Sequence, residues 1–179
     1  MAVDVGAKAP DFTLHNQNHE PVTLSDVLKK GPVVLAFLPG AFSGTCTAEM
    51  CNFRDSTGEL DKLNAQVLGV SVDSEFVHHA WRTHHPDLKN LPFPMLADIK
   101  RELSSAMGVL HKDAGVPLRA TFIADPEGII RHVAVNDLNA GRNVAETVRM
   151  LDALQTDELC PCNWEKGQET LTQKMAKAG

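Results

Sequence analysis

Apolar positions along this chain follow two rhythms. Val33–Leu38 and Val67–Val72 are short β-rich apolar runs of buried-strand length. Between them, from about Thr45 to Asn64, the spacing becomes that of an amphipathic helix. Ser74–His84 reads as another helix, stopped near Pro86. Asp98 is placed to cap a helix over Ile99–Met107, with Gly108 just past its end. Thr121–Ala124 and Ile129–Val135 flank Asp125-Pro126-Glu127-Gly128, a turn signal that predicts an antiparallel hairpin. Asn143, with Glu146 at the third helical position, starts a helix whose apolar positions continue through Val144, Val148, Leu151 and Leu154.

The resulting order, β-α-β-α-(α)-β-β-α, predicts an α/β class with a mixed central β-sheet flanked by helices, the thioredoxin-like fold. From Asp157 onward Pro161, Gly167 and many polar residues interrupt any periodicity, so the chain divides into a domain over 1–156 and a C-terminal tail over 157–179. At 179 residues and 43% apolar, one well-buried core is within reach. The net charge of −6, without any basic stripe, argues against nucleic acid as a partner. Asp4 interrupts the N-terminal stretch where a signal peptide needs apolar residues, and no segment approaches the length of a membrane span, so a soluble, cytoplasmic protein is expected.

The cysteines change the picture most. There are four, Cys46, Cys51, Cys160 and Cys162, and none forms a Cys-x-x-Cys pair. In a chain expected in the cytoplasm they point to redox or metal chemistry, not to a disulfide framework. Cys46 directly follows the Val33–Leu38 run and opens the first long helix. Unpaired backbone N–H groups and the positive end of the helix dipole converge there and favour a thiolate nucleophile. A later arginine, Arg119, stands just before an apolar strand, where a fixed guanidinium can favour that thiolate and polarise a substrate. The spacings x4 and x1 match no common zinc pattern, and Gly40-Ala41-Phe42-Ser43-Gly44 lacks the Lys-Ser/Thr of a phosphate loop, so no metal or nucleotide is expected. His78-His79 and His84-His85 do not stack on one helical face and read as a solvated helix end.

The segment Pro39-Gly40-Ala41-Phe42-Ser43-Gly44-Thr45-Cys46 resembles the signature of the peroxiredoxins, thiol peroxidases that reduce hydroperoxides. Collinear segments extend the likeness to the typical two-cysteine subgroup. They include Ala9-Pro10-Asp11-Phe12-Thr13, Ser71-Val72-Asp73-Ser74 through Trp81, Pro94 to Asp98, Arg119 to Gly128, Val135 to Arg142, and Glu158-Leu159-Cys160 through Gly167. The chain departs from the pattern in having Ser43 for the usual threonine and Thr47 for the proline that commonly follows the reactive cysteine. The insertion and the Tyr-Phe helix of easily over-oxidised members are missing, and the chain contains no tyrosine.

The resemblance implies a thiol-specific peroxidase for hydrogen peroxide and organic hydroperoxides, with no cofactor of its own. Cys46 would attack the peroxide and become a sulfenic acid, Ser43 and Arg119 would hold the peroxide oxygens, and Pro39 would shield the sulfur. Glu49 and Arg142 would pair to steady the active-site helix. A second thiol must then resolve the sulfenic acid. The resemblance favours Cys160, supplied by the partner of a homodimer or of a decamer built from dimers, while Cys51 and Cys162 stay open as alternatives. Cys51 also matches the resolving position of a different subgroup, the bacterioferritin-comigratory type. In a continuous helix, however, it lies about 7.5 Å along the axis from Cys46, so a bridge requires unwinding. Thioredoxin or a dedicated disulfide reductase would return the electrons. The competing function is a redox sensor or chaperone that uses the same cysteines.

Overall fold

The computed structural model describes residues 3–178. A short antiparallel hairpin, β1 (Thr13–His15) and β2 (Pro21–Thr23), leads into α1 (Leu24–Leu28). Then follow β3 (Val33–Phe37), α2 (Gly44–Asp55), α3 (Thr57–Lys62), β4 (Gln66–Ser71) and α4 (Glu75–His84), a 3-10 turn at Pro86–Leu88, β5 (Met95–Ala97) and α5 (Glu102–Ala106). The hairpin β6 (Arg119–Ala124) and β7 (Ile130–Asn136), α6 (Val144–Gln155) and α7 (Leu171–Ala178) complete the chain. Five strands form one sheet in the order β5-β4-β3-β6-β7, with β5, β4 and β3 parallel and β6 antiparallel to both β3 and β7.

Strand β3 lies in the middle of this sheet and is buried at every position. Its side chains alternate between the faces, as a period of two requires. Val34 and Ala36 pack with Met50, Phe53, Trp81 and Leu151 from α2, α4 and α6. Val33, Leu35 and Phe37 pack with Leu24, Leu28, Leu103 and Met107 on the α1/α5 side. An unbroken apolar run therefore reports covering on both faces, and the result is a helix–sheet–helix sandwich. The predicted hairpin forms: Gly128 takes φ +82°, and the Asp125 carboxylate accepts the Ile129 N–H at 2.9 Å. Asn143 caps α6 by accepting the Glu146 N–H at 3.1 Å.

Several boundaries differ from the sequence reading. The helix expected over Thr45–Asn64 is two helices, because Ser56 leaves helical geometry at φ −89°, ψ 2°. There the Thr57 hydroxyl donates to the Arg54 carbonyl at 2.6 Å, a local alternative to the next helical bond. Asp98 does not take the N-cap position expected of it: α5 begins only at Glu102, with Arg101 at the N-cap in left-handed geometry, and the buried Asp98 carboxylate reaches forward to accept the N–H groups of Leu103 and Ser104. Strand β5 and the β1–β2 hairpin were not foreseen; strands of three residues carry too little pattern to stand out. The tail, read as aperiodic, contains α7 and is tied to α6. Arg149 donates to the Trp164 carbonyl at 2.8 Å, and Lys166 pairs with Asp152 at 2.7 Å. The buried Trp164 ring donates to the Gln168 carbonyl.

The histidine reading needs correction too. His79 and His84 are exposed, but His78 is fully buried, on the same helical face as Trp81. Its Nε2 lies 2.7 Å from the Ser71 hydroxyl at the end of β4, a polar partner that only the fold supplies.

Candidate active site

The site forms where β3 ends. Pro39, half-buried, turns the chain out of the sheet, and the loop to Ser43 passes through Phe42 at φ +62°. A bulky residue rarely adopts that conformation, so its surroundings must hold it. Two contacts do so: the Ala41 N–H donates to the Asp73 carboxylate at 2.8 Å, and the Phe42 ring tilts against Trp81 with centroids 6.2 Å apart. Ser43 is the N-cap of α2, and its hydroxyl accepts the Cys46 N–H at 3.3 Å. Cys46 is the third residue of that helix, in the first turn, where about half a positive charge resides. Its side chain is fully buried beside Leu38 and Met50.

Arg119 arrives from the neighbouring strand. The antiparallel register pairs Ala36 with Thr121, so two residues further Arg119 stands opposite Leu38, where the Cys46 loop begins. Its Nε donates to the Leu138 carbonyl at 2.8 Å, and Nη1 points at Cys46 Sγ, 3.4 Å away. Arg142, in the loop after β7, donates to the Phe37 carbonyl and to the Thr121 hydroxyl, which fixes its plane under the end of the sheet. Burial pulls its pKa below the usual guanidinium value, Glu49 opposes the shift, and the group remains a cation at neutral pH.

Glu49, one turn along α2 from Cys46, stands between the two arginines. One oxygen, Oε1, accepts the Arg142 backbone N–H at 2.9 Å. The other, Oε2, is 3.3 Å from Arg119 Nη1 and 3.4 Å from Arg142 Nε. Neither Oε2 nor Arg142 Nε attains hydrogen-bond geometry, so these contacts are coulombic. All three side chains are at most 6% exposed. Two buried guanidiniums thus face a single carboxylate, leaving one positive charge uncompensated in a place where burial makes that costly. The Cys46 sulfur lies against this surplus charge, 3.4 Å from Arg119 Nη1.

A model of the AhpC/TSA family matches residues 5–133. The chain belongs to that family. Relatives include alkyl hydroperoxide reductase C of Mycobacterium tuberculosis, 54% identical over 138 residues, which span 77% of this chain and 70% of that protein. The alkyl hydroperoxide reductase C of Mycolicibacterium smegmatis is 48% identical over 177 residues, spanning 98% and 86%. Among solved structures, the reduced 2-Cys peroxiredoxin of Plasmodium vivax superposes with a TM-score of 0.86 at 33% identity, covering 93% of this chain and 91% of that one. Mycobacterium tuberculosis AhpC gives 0.82 at 42% identity, covering 92% and 100%. The resemblance to two-cysteine peroxiredoxins and the thioredoxin-like fold are thereby borne out.

Within this AhpC/TSA chain the structure gathers Cys46, Ser43, Glu49, Arg119 and Arg142 and sets the other thiols apart. All four cysteines are free. Cys51 is half-buried against the 3-10 turn, with Sγ 3.9 Å from the Asp87 carbonyl, and burial pushes its thiol pKa up. Cys160 is half-buried at the far end of α6, its Sγ 3.5 Å from the Thr156 hydroxyl and 3.9 Å from the Ala153 carbonyl. Helix α6 starts beside Arg142 and carries Ala153 about 14 Å further along its axis. There Leu154 and Leu159 line a groove with Gly31 and Pro32, which precede β3, whereas Cys46 follows it. Cys46 and Cys160 of one subunit therefore lie at opposite ends of the sheet. Cys162 is exposed.

Three features of the site escaped the sequence reading. The Leu138 carbonyl aims Arg119. Gly141 packs so closely that an added Cβ would come within 3.3 Å of the Thr45 side chain. Asp73 anchors Ala41. Only Asp73 left a signal, as an acidic residue just beyond a buried strand.

Proposed function

We propose that this chain is a thiol-specific peroxidase in which Cys46 attacks the hydroperoxide. The observation that carries the reading is the buried charge count, two guanidiniums against one carboxylate with the Cys46 sulfur 3.4 Å from Arg119. In the first step the thiolate takes the terminal oxygen as the O–O bond breaks. The leaving alkoxide or hydroxide gains a proton, giving Cys46 sulfenic acid and an alcohol or water. Arg119 meets the charge that builds on the leaving oxygen, and the Ser43 hydroxyl, at the rim, orients the substrate. Glu49 and Arg142 act through others as positioning residues: they hold Arg119 and the start of α2.

In the second step Cys160 of the partner subunit displaces water from the sulfenic acid to form a disulfide. The separation of Cys46 from Cys160 along α6 supports a bridge between subunits, because a disulfide needs α-carbons about 4.4–6.8 Å apart. A homodimer is the smallest assembly that meets this need, and a ring of dimers meets it equally well. A dithiol donor, thioredoxin or a dedicated disulfide reductase, restores both thiols.

Non-reducing gels after one equivalent of hydrogen peroxide test the reading. Wild type should become a covalent dimer. Cys51→Ser should keep the band, Cys160→Ser should lose it or divert it to Cys162, and Cys46→Ser should show neither band nor turnover while retaining its fold by circular dichroism. Substantial turnover by Cys46→Ser, or a mapped Cys46–Cys51 bridge in a monomer, overturns it.

A further inference from the structure

Arg119 and Asn136 are direct partners across the antiparallel β6–β7 register, at the end of the hairpin that meets Cys46. Strand β7 ends at Asn136, and residues 137–142 carry the chain to Asn143, the cap of α6. The Asn136 Nδ2 donates to the Gly141 carbonyl at 2.9 Å, closing that loop across its base. We propose that Asn136 is a positioning residue for the peroxide reaction: by closing the loop it fixes the backbone groups that hold Arg119 and Glu49 beside Cys46. The inference rests on the peroxidase reading and adds to it a residue that itself never meets the peroxide.

The loop touches the site at three points. The Leu138 carbonyl accepts the Arg119 Nε–H at 2.8 Å, which turns Nη1 toward Cys46 Sγ. The Arg142 N–H donates to Glu49 Oε1 at 2.9 Å. Gly141 lies so close to α2 that an added Cβ would come within 3.3 Å of the Thr45 side chain. A carbonyl, an amide and a missing side chain make these contacts, so the path of the loop decides them. Two bonds shape that path from within: the Asp137 carbonyl accepts the Ala140 N–H at 3.0 Å, and its carboxylate accepts the Leu138 N–H at 2.7 Å. Neither of them spans the loop. The Asn136–Gly141 bond does, tying the last residue of β7 to the residue before Arg142.

The residue type fits the task. An amide supplies a donor without a charge, so it closes the loop and leaves the balance among Glu49, Arg119 and Arg142 untouched. A carboxylate of the same shape could not donate and would face the Gly141 carbonyl with a second acceptor. Asn136 is half-buried, so trimming it to alanine opens no sealed cavity in the core. What trimming removes is the tie, and the Leu138 carbonyl is then free to drift with the loop. A guanidinium displaced by about 1 Å from a reacting centre can lose up to about 10² in rate. A residue that served only to end the strand would weaken the fold equally whether or not Arg119 is present. A residue that works by aiming Arg119 has nothing to aim once that arginine is gone.

A double-mutant cycle on the stopped-flow oxidation of Cys46 by hydrogen peroxide tests this, together with hydrogen exchange of the reduced proteins. Asn136→Ala should slow oxidation on the order of tenfold, and exchange over residues 138–142 should rise several-fold. Added to Arg119→Met, the same substitution should change the remaining rate by less than twofold. Asn136→Asp, which keeps the shape and loses the donor, should be at least as slow as alanine, and it decides the matter if the alanine variant does not fold. A rate within twofold of wild type in both Asn136 variants overturns the inference. So does an equal loss in the presence and absence of Arg119, which would mark Asn136 as structural only. Wild-type Cys46 that peroxide leaves unoxidised would sink the peroxidase reading instead; the brace is then judged by exchange alone, and unchanged exchange over 138–142 overturns it.

Discussion

The sulfurs of Cys46 and Cys160 belong to one proposed cycle and are held in opposite ways. Cys46 lies at zero exposure in the first turn of a twelve-residue helix, with a guanidinium on its sulfur and a capping hydroxyl on its N–H. Cys160 rests on one hydroxyl and one carbonyl at distances of 3.5 and 3.9 Å, in a segment joined to the domain through Trp164, Arg149 and Lys166. The contrast follows from the tasks. A nucleophile needs a preorganised field, which rigid elements supply. A resolving thiol must travel, and few buried contacts keep the cost of travel low.

The comparison breaks first at Arg119. Arg119→Met should leave the fold intact and slow the reaction of Cys46 with peroxide by about 10²–10³, the effect of one preorganised donor. Arg119→Lys should rescue poorly, because an ammonium cannot reach Cys46, Glu49 and the Leu138 carbonyl together as a planar fork does. Stopped-flow measurement of the oxidation step reads this directly, and an unchanged rate in Arg119→Met would show that another group supplies the field.

The next effect falls on the tail. Trp164→Ala removes the buried anchor of residues 157–178 and should cost on the order of 3 kcal/mol of docking. Exchange across 157–178 should rise while the oxidation rate of Cys46 stays at its wild-type value. Coupled changes in both regions would mean that the tail and the site are one cooperative unit.

The third effect concerns pH and sharpens the site half of the contrast. His78 has a folded pKa of about 4 against an ordinary value of 6.5, the depression arising from burial against the opposing pull of Asp73. Above pH 6.5 both folded and unfolded chains carry it neutral, and its contribution is constant. As the pH falls from 6.5 to 4 the unfolded chain takes up a proton that the folded chain refuses, so stability declines by up to about 3 kcal/mol. Below pH 4 the loss levels off. His132, also lowered by burial, adds a decline of the same sign. Denaturant unfolding at several pH values should show the slope, and His78→Gln should flatten it; an equal slope in that variant would refute the assignment to His78.

Much of this molecule was legible before any coordinates. The cap at Asn143, the Asp125–Gly128 turn, the burial of β3 and the helix-start position of Cys46 all depend on residues within a turn or a strand of one another. Local sterics and periodicity encode such features, and the motif around Cys46 marked the chemistry. Arg119, Glu49 and Arg142 could be named from the family pattern, yet their charge balance could not, because it exists only once the β3–β6 register and the loop after β7 bring together groups up to 93 residues apart. The same holds for His78, which looks like a surface histidine until Ser71 from β4 meets it, and for Asp73, whose partner is a backbone N–H on a different loop. Strand β5 exists because β4 offers it an edge, not because Met95–Ala97 insists on extension. What neighbours in sequence can settle by sterics and caps, the sequence decided; what depends on burying a charge or pairing a polar atom across the sheet, only the tertiary structure could, since the cost of leaving it unpaired appears only when water is gone.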